Sequence, residues 1–139
     1  MINTDITVAE LNAMSKGTMD ENLGIKYTEI TPDKIVAKMP VDQRTTQPFG
    51  LLHGGASVSL AESLGSVAAH CSIDSEKYMA VGVEINANHI RSAKSGYVTG
   101  TAKAIHIGRS THVWAIEIVD EANKLICISR ITIAIMEKR

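Results

Sequence analysis

The spacing of apolar positions changes several times along the chain, and each change marks an element. From Thr7 to Lys16, Val8, Leu11 and Met14 recur at helical spacing and Gly17 follows, which predicts a short amphipathic helix. Leu23–Ile30 and Lys34–Met39 alternate apolar and polar residues around Thr31-Pro32-Asp33, predicting a β-hairpin that ends at Pro40. Val41 to Leu52 has no clean period and contains Pro48, so a long loop is expected there. Gly54 to Ile73 places Leu60, Leu64, Val67 and Cys71 on one face of a helix roughly 30 Å long. From Met79 onward the pattern is strand. Met79, Val81, Val83 and Ile85 alternate with Ala80, Gly82, Glu84 and Asn86, and Tyr97 to Ile107, Thr111 to Val119 and Lys124 to Met136 follow. The breaks at Ser95-Gly96, Gly108-Arg109-Ser110 and Asp120-Glu121-Ala122-Asn123 are short, which predicts an antiparallel meander. The expected class is α+β, one long helix wrapped by a single curved antiparallel sheet.

The long helical segment is unusual in its charge. Between Gly54 and Ile73 the only carboxylate is Glu62, with no Lys or Arg. A solvent-facing helix of that length would carry several charges, so this one is expected to be buried on most sides. A lone carboxylate there is costly to desolvate unless it meets a hydrogen bond or water in a cleft. Ser59 and Ser66 flank it at helical spacing. At the helix start, His53-Gly54-Gly55 lacks the Ser, Thr, Asp or Asn that usually caps one. Free N–H groups beside glycines can point at an anion. With Gln47, His53 and Glu62 nearby in the chain, the set supplies an oxyanion donor, two polar orienting groups and a carboxylate. Those are the parts of acyl transfer or hydrolysis. Gly54 and Glu62 are separated by about 12 Å of helix rise, too far to meet one carbonyl group from the same chain. A shared site at a two-fold interface between two chains is therefore expected.

Composition narrows the alternatives. The 139 residues suit one domain, and 14 basic against 15 acidic residues leave a net charge of −1. That balance, with five aromatic residues in all, argues against nucleic-acid binding. No apolar run is long enough for a transmembrane helix, and Asp5 and Glu10 do not fit a secretory leader. Cys71 and Cys127 sit in apolar stretches and read as reduced core thiols of a cytosolic protein. His106 and His112 flank one hairpin, but no carboxylate or cysteine is spaced to complete a metal set, and no cofactor is expected.

The segment Gln47-Pro48-Phe49-Gly50-Leu51-Leu52-His53-Gly54-Gly55-Ala56, followed by Ala61-Glu62-Ser63, resembles the hotdog-fold acyl-CoA thioesterases of the PaaI and 4-hydroxybenzoyl-CoA type. The likeness includes Met39-Pro40-Val41-Asp42 and Glu84-Ile85-Asn86-Ala87-Asn88-His89, and is greatest to the 1,4-dihydroxy-2-naphthoyl-CoA hydrolases of menaquinone synthesis. The resemblance implies a hotdog fold and a homotetramer built as a dimer of dimers. It implies that Glu62 is the nucleophile or general base and that the Gly54 N–H polarises the thioester carbonyl. Gln47 and His53 would orient the group, and Ser66 would place the attacking water. It further implies coenzyme A contacts at Gly82, at His89, Ile90, Arg91 and Ser92, and at His106, Ile107, Gly108, Arg109, Ser110 and Thr111. Arg91, Lys94, Lys103 and Arg109 are available cations for the polyanionic coenzyme, and Arg109 sits in a turn that can present it outward. Phe49 and Met79 are available to face an aryl ring, and would equally suit a phenylacetyl, hydroxybenzoyl or medium-chain acyl group.

Two other readings use the same parts. Hydroxyacyl dehydratases of this fold pair a loop His with a helix acid, but their His lies further upstream than His53 does here. A non-catalytic acyl-CoA binding module would not require Glu62 together with an oxyanion glycine.

Overall fold

The computed structural model describes residues 1–139. Helix α1 (Val8–Met14) starts at a reciprocal cap: Thr7 Oγ1 accepts from the Glu10 N–H, and the Glu10 carboxylate accepts from the Thr7 N–H at 2.7 Å. A second helix, α2 (Met19–Leu23), follows where the hydrophobic pattern predicts none; five residues are too few to show a period. Gly24 ends it at φ 73°, so Leu23 belongs to α2 and the first strand, β1 (Lys26–Ile30), begins later than the alternation suggests. Strand β2 (Lys34–Pro40) completes the predicted hairpin.

Helix α3 (Gly54–His70) is three residues shorter than its pattern predicts. Cys71 caps it, and the Cys71 carbonyl accepts from the Asn3 N–H at 2.7 Å instead of continuing the helix. Strands β3 (Tyr78–His89), β4 (Tyr97–Ile107), β5 (Thr111–Val119) and β6 (Leu125–Glu137) follow. All six strands form one antiparallel sheet in the order β1-β2-β4-β5-β6-β3. The expected meander therefore holds only for β4, β5 and β6. Strand β3 pairs with β6, not β4, because residues 90–96 cross the sheet end: the Ile90 and Arg91 N–H groups both donate to the Ile126 carbonyl.

The sheet curls around α3, as the predicted architecture requires. Leu60, Ala61, Leu64, Ala68 and Ala69 are fully buried against Ile35, Met39, Val98, Trp114, Ile116 and Ile131. Two glycines set how closely the layers approach. A Cβ on Gly65 would press into the Ile131 side chain, and one on Gly100 would lie 2.6 Å from Leu64 Cδ1. Cys71 and Cys127 are free and buried, and burial pushes the Cys71 thiol up to about 11. No helix is long and apolar enough to cross a membrane.

The Gly65 contact makes a measurable prediction. Gly65→Ala should overpack the helix–sheet layer and lower the unfolding free energy by about 1–3 kcal/mol, read from urea denaturation. An unchanged midpoint would show that Ile131 gives way freely.

Candidate active site

The loop before α3 is held by its own backbone. The Thr45 hydroxyl donates to the Pro40 carbonyl at 2.6 Å, and the His53 N–H donates to the Thr45 carbonyl at 2.8 Å. A narrow bridge pairs Thr46 with Leu52, and Gly50 turns the chain at φ 77°. Within that turn Gln47 Oε1 accepts from the Phe49 N–H, which orients the Gln47 side chain, while Phe49 is exposed at the tip.

His53 corrects the expectation that α3 starts uncapped. Its backbone is extended, and its Nδ1 accepts from the Gly55 N–H at 2.8 Å. An imidazole thus does the work usually done by a hydroxyl or carboxamide. The Gly55 N–H is consequently engaged. The Gly54 N–H, by contrast, donates to nothing within the chain. That leaves one backbone donor open at the positive end of the helix dipole.

Around this donor lies a cleft of about 290 Å³ lined by Gln47, Gly54, Ser57, His89, Arg91 and Ser92. The His89 ring covers Gly54 so closely that a Cβ there would sit 2.8 Å from Nε2. The structure therefore brings Gln47, Gly54 and the segment His89 to Ser92, including Ile90, to one place on one chain. Ser57, which the chain pattern does not single out, also lines this cleft and is 1% exposed in the first turn of α3. Its signal is a hydroxyl directly after the two glycines and Ala56.

Glu62 lies elsewhere. It is half-buried, and one of its oxygens would lie 2.7 Å from a Cβ on Gly82, so a side chain at that position of β3 would push the carboxylate from where it lies. None of the three ion pairs in the chain involves it. Ser66 is half-buried one turn on, but Ser59 does not line the carboxylate as its spacing suggests. Its hydroxyl donates to the Gly55 carbonyl at 2.8 Å within the helix. Met79 does not join this group either: it is exposed and, by strand alternation from Gly82, on the outer face of the sheet.

The third predicted set, His106 to Thr111, forms the hairpin turn between β4 and β5 and lines neither of the other two places. The Gly108 N–H donates to the Thr111 carbonyl at 2.9 Å, and the Ser110 carbonyl accepts from the Ile135 N–H at 3.0 Å. Ile107 and Ser110 are exposed, and Arg109 points into solvent as its turn position suggests. Lys103 sits with Lys34 and Glu117 in a separate depression on the outer face.

Comparison with known proteins sets this geometry in context. A family model described as the thioesterase superfamily matches residues 49–127. The 1,4-dihydroxy-2-naphthoyl-CoA hydrolase of Escherichia coli K12 is 54% identical over 131 residues, covering 94% of this chain and 96% of its own. The proofreading thioesterase EntH of Cronobacter turicensis is 47% identical over 131 residues, covering 94% and 95%. The crystal structure of a mutant thioesterase from Pseudomonas aeruginosa superposes with a TM-score of 0.96 at 47% identity, covering 99% of each chain.

The capping geometry of His53 is open to direct test. His53→Ala should lower the unfolding free energy by about 1 kcal/mol, while His53→Asn, which keeps an acceptor, should lose less than half of that. Equal losses in both variants on chemical denaturation would mean that the cap contributes nothing.

Proposed function

The chain belongs to the thioesterase superfamily and is a thioester hydrolase of hotdog fold; we propose that it cleaves an aryl-CoA thioester in a site shared by two chains. The carrying observation is the placement of the open Gly54 N–H and the unpaired Glu62 on one helix, the first beside His89 at the end of β3 and the second beside Gly82 within it. About 12 Å of helix separates them, so a single carbonyl meets both only if they come from different subunits.

Strand β3 supports that pairing. It is twelve residues long and lies at the sheet edge with one neighbour, and Val81 and Val83 are exposed on it. An edge of that length is a template for another strand. In the proposed dimer β3 pairs antiparallel with its copy about an axis near Ile85 and Asn86, a register that would set Gly82 opposite His89 of the partner subunit. Glu62 lies against Gly82, and Gly54 lies against His89. That register would carry Glu62 of the partner subunit toward the cleft that holds Gly54. The half-buried stripe Val58, Glu62 and Ser66 on α3 would gain a surface to pack against. A second, back-to-back association of such dimers would make the tetramer.

In this arrangement the thioester oxygen accepts from the Gly54 N–H, which stabilises the developing oxyanion. Gln47 orients the group, and His53 fixes the first turn from which the donor projects. Glu62 of the partner subunit attacks the carbonyl carbon or takes a proton from the attacking water, with Ser66 placing that water. The oxygen of water ends on the acyl carbon as the C–S bond breaks, directly or by way of an acyl–Glu62 anhydride that water then hydrolyses, and the proton that water gives up passes to the leaving coenzyme A thiolate. Arg91 in the cleft and Arg109 on the β4–β5 turn supply charge for the coenzyme phosphates. The aryl preference rests on the naphthoyl-CoA hydrolase among the relatives and on Phe49 exposed at the cleft loop. A dehydratase reading is disfavoured because His53 Nδ1 is committed to the Gly55 N–H.

Glu62→Gln should lower kcat roughly a hundredfold to ten-thousandfold without changing the unfolding midpoint. Wild-type turnover in that variant would remove the carboxylate from the mechanism. Gly82→Ala should displace the same carboxylate and lower kcat while leaving stability intact. Thiol release across a panel should be fastest with a hydroxyaryl- or bicyclic aryl-CoA, and a long-chain acyl-CoA outpacing both would overturn the acyl assignment. The shared site has its own test. Glu62→Ala and Gln47→Ala, each inactive, are refolded together. Random pairing makes half the dimers mixed, each with one intact site, so activity should recover to about a quarter of wild type. No recovery would place both groups in one chain's site.

A further inference from the structure

We propose that the Ser57 hydroxyl is a second donor to the thioester oxygen, acting beside the Gly54 N–H in the same cleft. The proposal rests on the reading of that N–H as the oxyanion donor.

Ser57 lies in the first turn of α3, 1% exposed, and lines the cleft with Gln47, Gly54 and His89. Other serines of this region return their protons to the backbone. Ser59 Oγ donates to the Gly55 carbonyl at 2.8 Å, and Ser72 Oγ, just beyond the helix, donates to the Ala68 carbonyl at 2.7 Å. Ser57 does not. The carbonyl four residues before it, on His53, already accepts from the Ala56 N–H at 3.0 Å and the Ser57 N–H at 3.2 Å, which occupies both of its lone pairs. The hydroxyl makes no other bond within the chain. Two fully enclosed side-chain atoms lack a partner, His112 Nδ1 and Trp114 Nε1, and Ser57 Oγ is not among them. The trace of exposure left to Ser57 therefore lies at its hydroxyl, on the cleft side.

A hydroxyl held there without a partner is destabilising, and alanine would fill the same turn as a better helix former. Packing alone therefore does not account for a serine here. What the cleft lacks is a second donor. The Gly55 N–H is engaged by His53 Nδ1, and the Ala56 and Ser57 N–H groups by the His53 carbonyl, so Gly54 is the one open backbone donor of this turn. A carbonyl oxygen has two lone pairs and gains a third as the tetrahedral intermediate forms, so it can accept from a second group. Helix geometry brings the hydroxyl within reach. Ser57 follows Gly54 by three residues, on the same face and about 4.5 Å further along the axis, and its Cα–Cβ bond leans back toward the N-terminus. The other polar side chains of the cleft are wetter: Gln47 is half-buried, and His89, Arg91 and Ser92 are exposed. Water competes for their donors. Only the Ser57 donor is already withdrawn from solvent, where a bond to developing charge is strongest.

The test reads turnover of benzoyl-CoA together with the infrared carbonyl band of a bound ketone analogue. In that analogue a methylene group separates the isotopically labelled benzoyl carbonyl from the coenzyme sulfur, so it cannot be hydrolysed as a thioester. Each hydrogen bond to the carbonyl lowers its frequency. Bound to the wild type, the band should lie below its position in an aprotic solvent, and Ser57→Ala should raise it. The same variant should lower kcat for benzoyl-CoA roughly tenfold to a thousandfold. Its KM should stay within about twofold of wild type, because the bond strengthens in the transition state, and its unfolding midpoint should not fall. If Ser57→Ala does not fold, Ser57→Cys, similar in size but a weak donor, gives the same readout. Wild-type kcat in the variant, or a fall in kcat with the band unmoved, would overturn the proposal and leave the Gly54 reading standing. A band at its aprotic position in the wild type would show that no donor meets the carbonyl, and both statements would fall.

Discussion

Seventeen residues of helix lie in the concavity of one sheet, and the two surfaces approach closely because the helix is built from small side chains. Leu60 and Leu64 fill the groove, while Ala61, Gly65, Ala68 and Ala69 let the β-branched residues of β5 and β6 come near the helix backbone. This contact makes α3 a rigid ruler. The open N–H at Gly54 and the carboxylate of Glu62 keep their spacing because nothing in so tightly packed a layer can slide.

That rigidity sets what one chain is able to do. A flexible loop could bring a donor and a base together within a single subunit, but a straight helix holds them about 12 Å apart. The molecule instead offers each group beside a different glycine-permitted contact with β3, at Gly82 and through His89, and β3 is the strand left at the edge. Both proposed reacting groups thus lie against one strand. In the proposed dimer that edge, an aggregation hazard in a lone chain, is the seam of the site.

The polar groups divide their labour in the same spirit. His53 gives its Nδ1 to the helix start, Ser59 gives its hydroxyl back to the helix, and Gln47 fixes its own turn. Each bond fixes a side chain in place and leaves the Gly54 N–H and the Glu62 carboxylate without partners in the chain. Preorganisation of this kind stabilises a developing charge without reorganisation at the moment of reaction.

The sequence by itself carried the class of fold, the long helix and the four later strands, because each has a period longer than its noise. Leu60, Leu64 and Val67 mark a helix, and the Met79–Ile85 alternation marks a strand whatever surrounds them. It also carried the isolation of Glu62 in its helix and its separation from Gly54 by about 12 Å, since an α-helix fixes the rise per residue. Other features were decided only in three dimensions. Helix α2 is too short to have a period, and the end of α3 is set by Asn3 taking the Cys71 carbonyl. Strand β3 joins β6 because of a crossing at residues 90–96, which short-turn reasoning cannot foresee. His53 became a cap and Ser59 a helix-bound hydroxyl because hydrogen-bond partners are chosen by proximity in space. Spacing along the chain states which groups are available, and packing alone decides which of them are already taken.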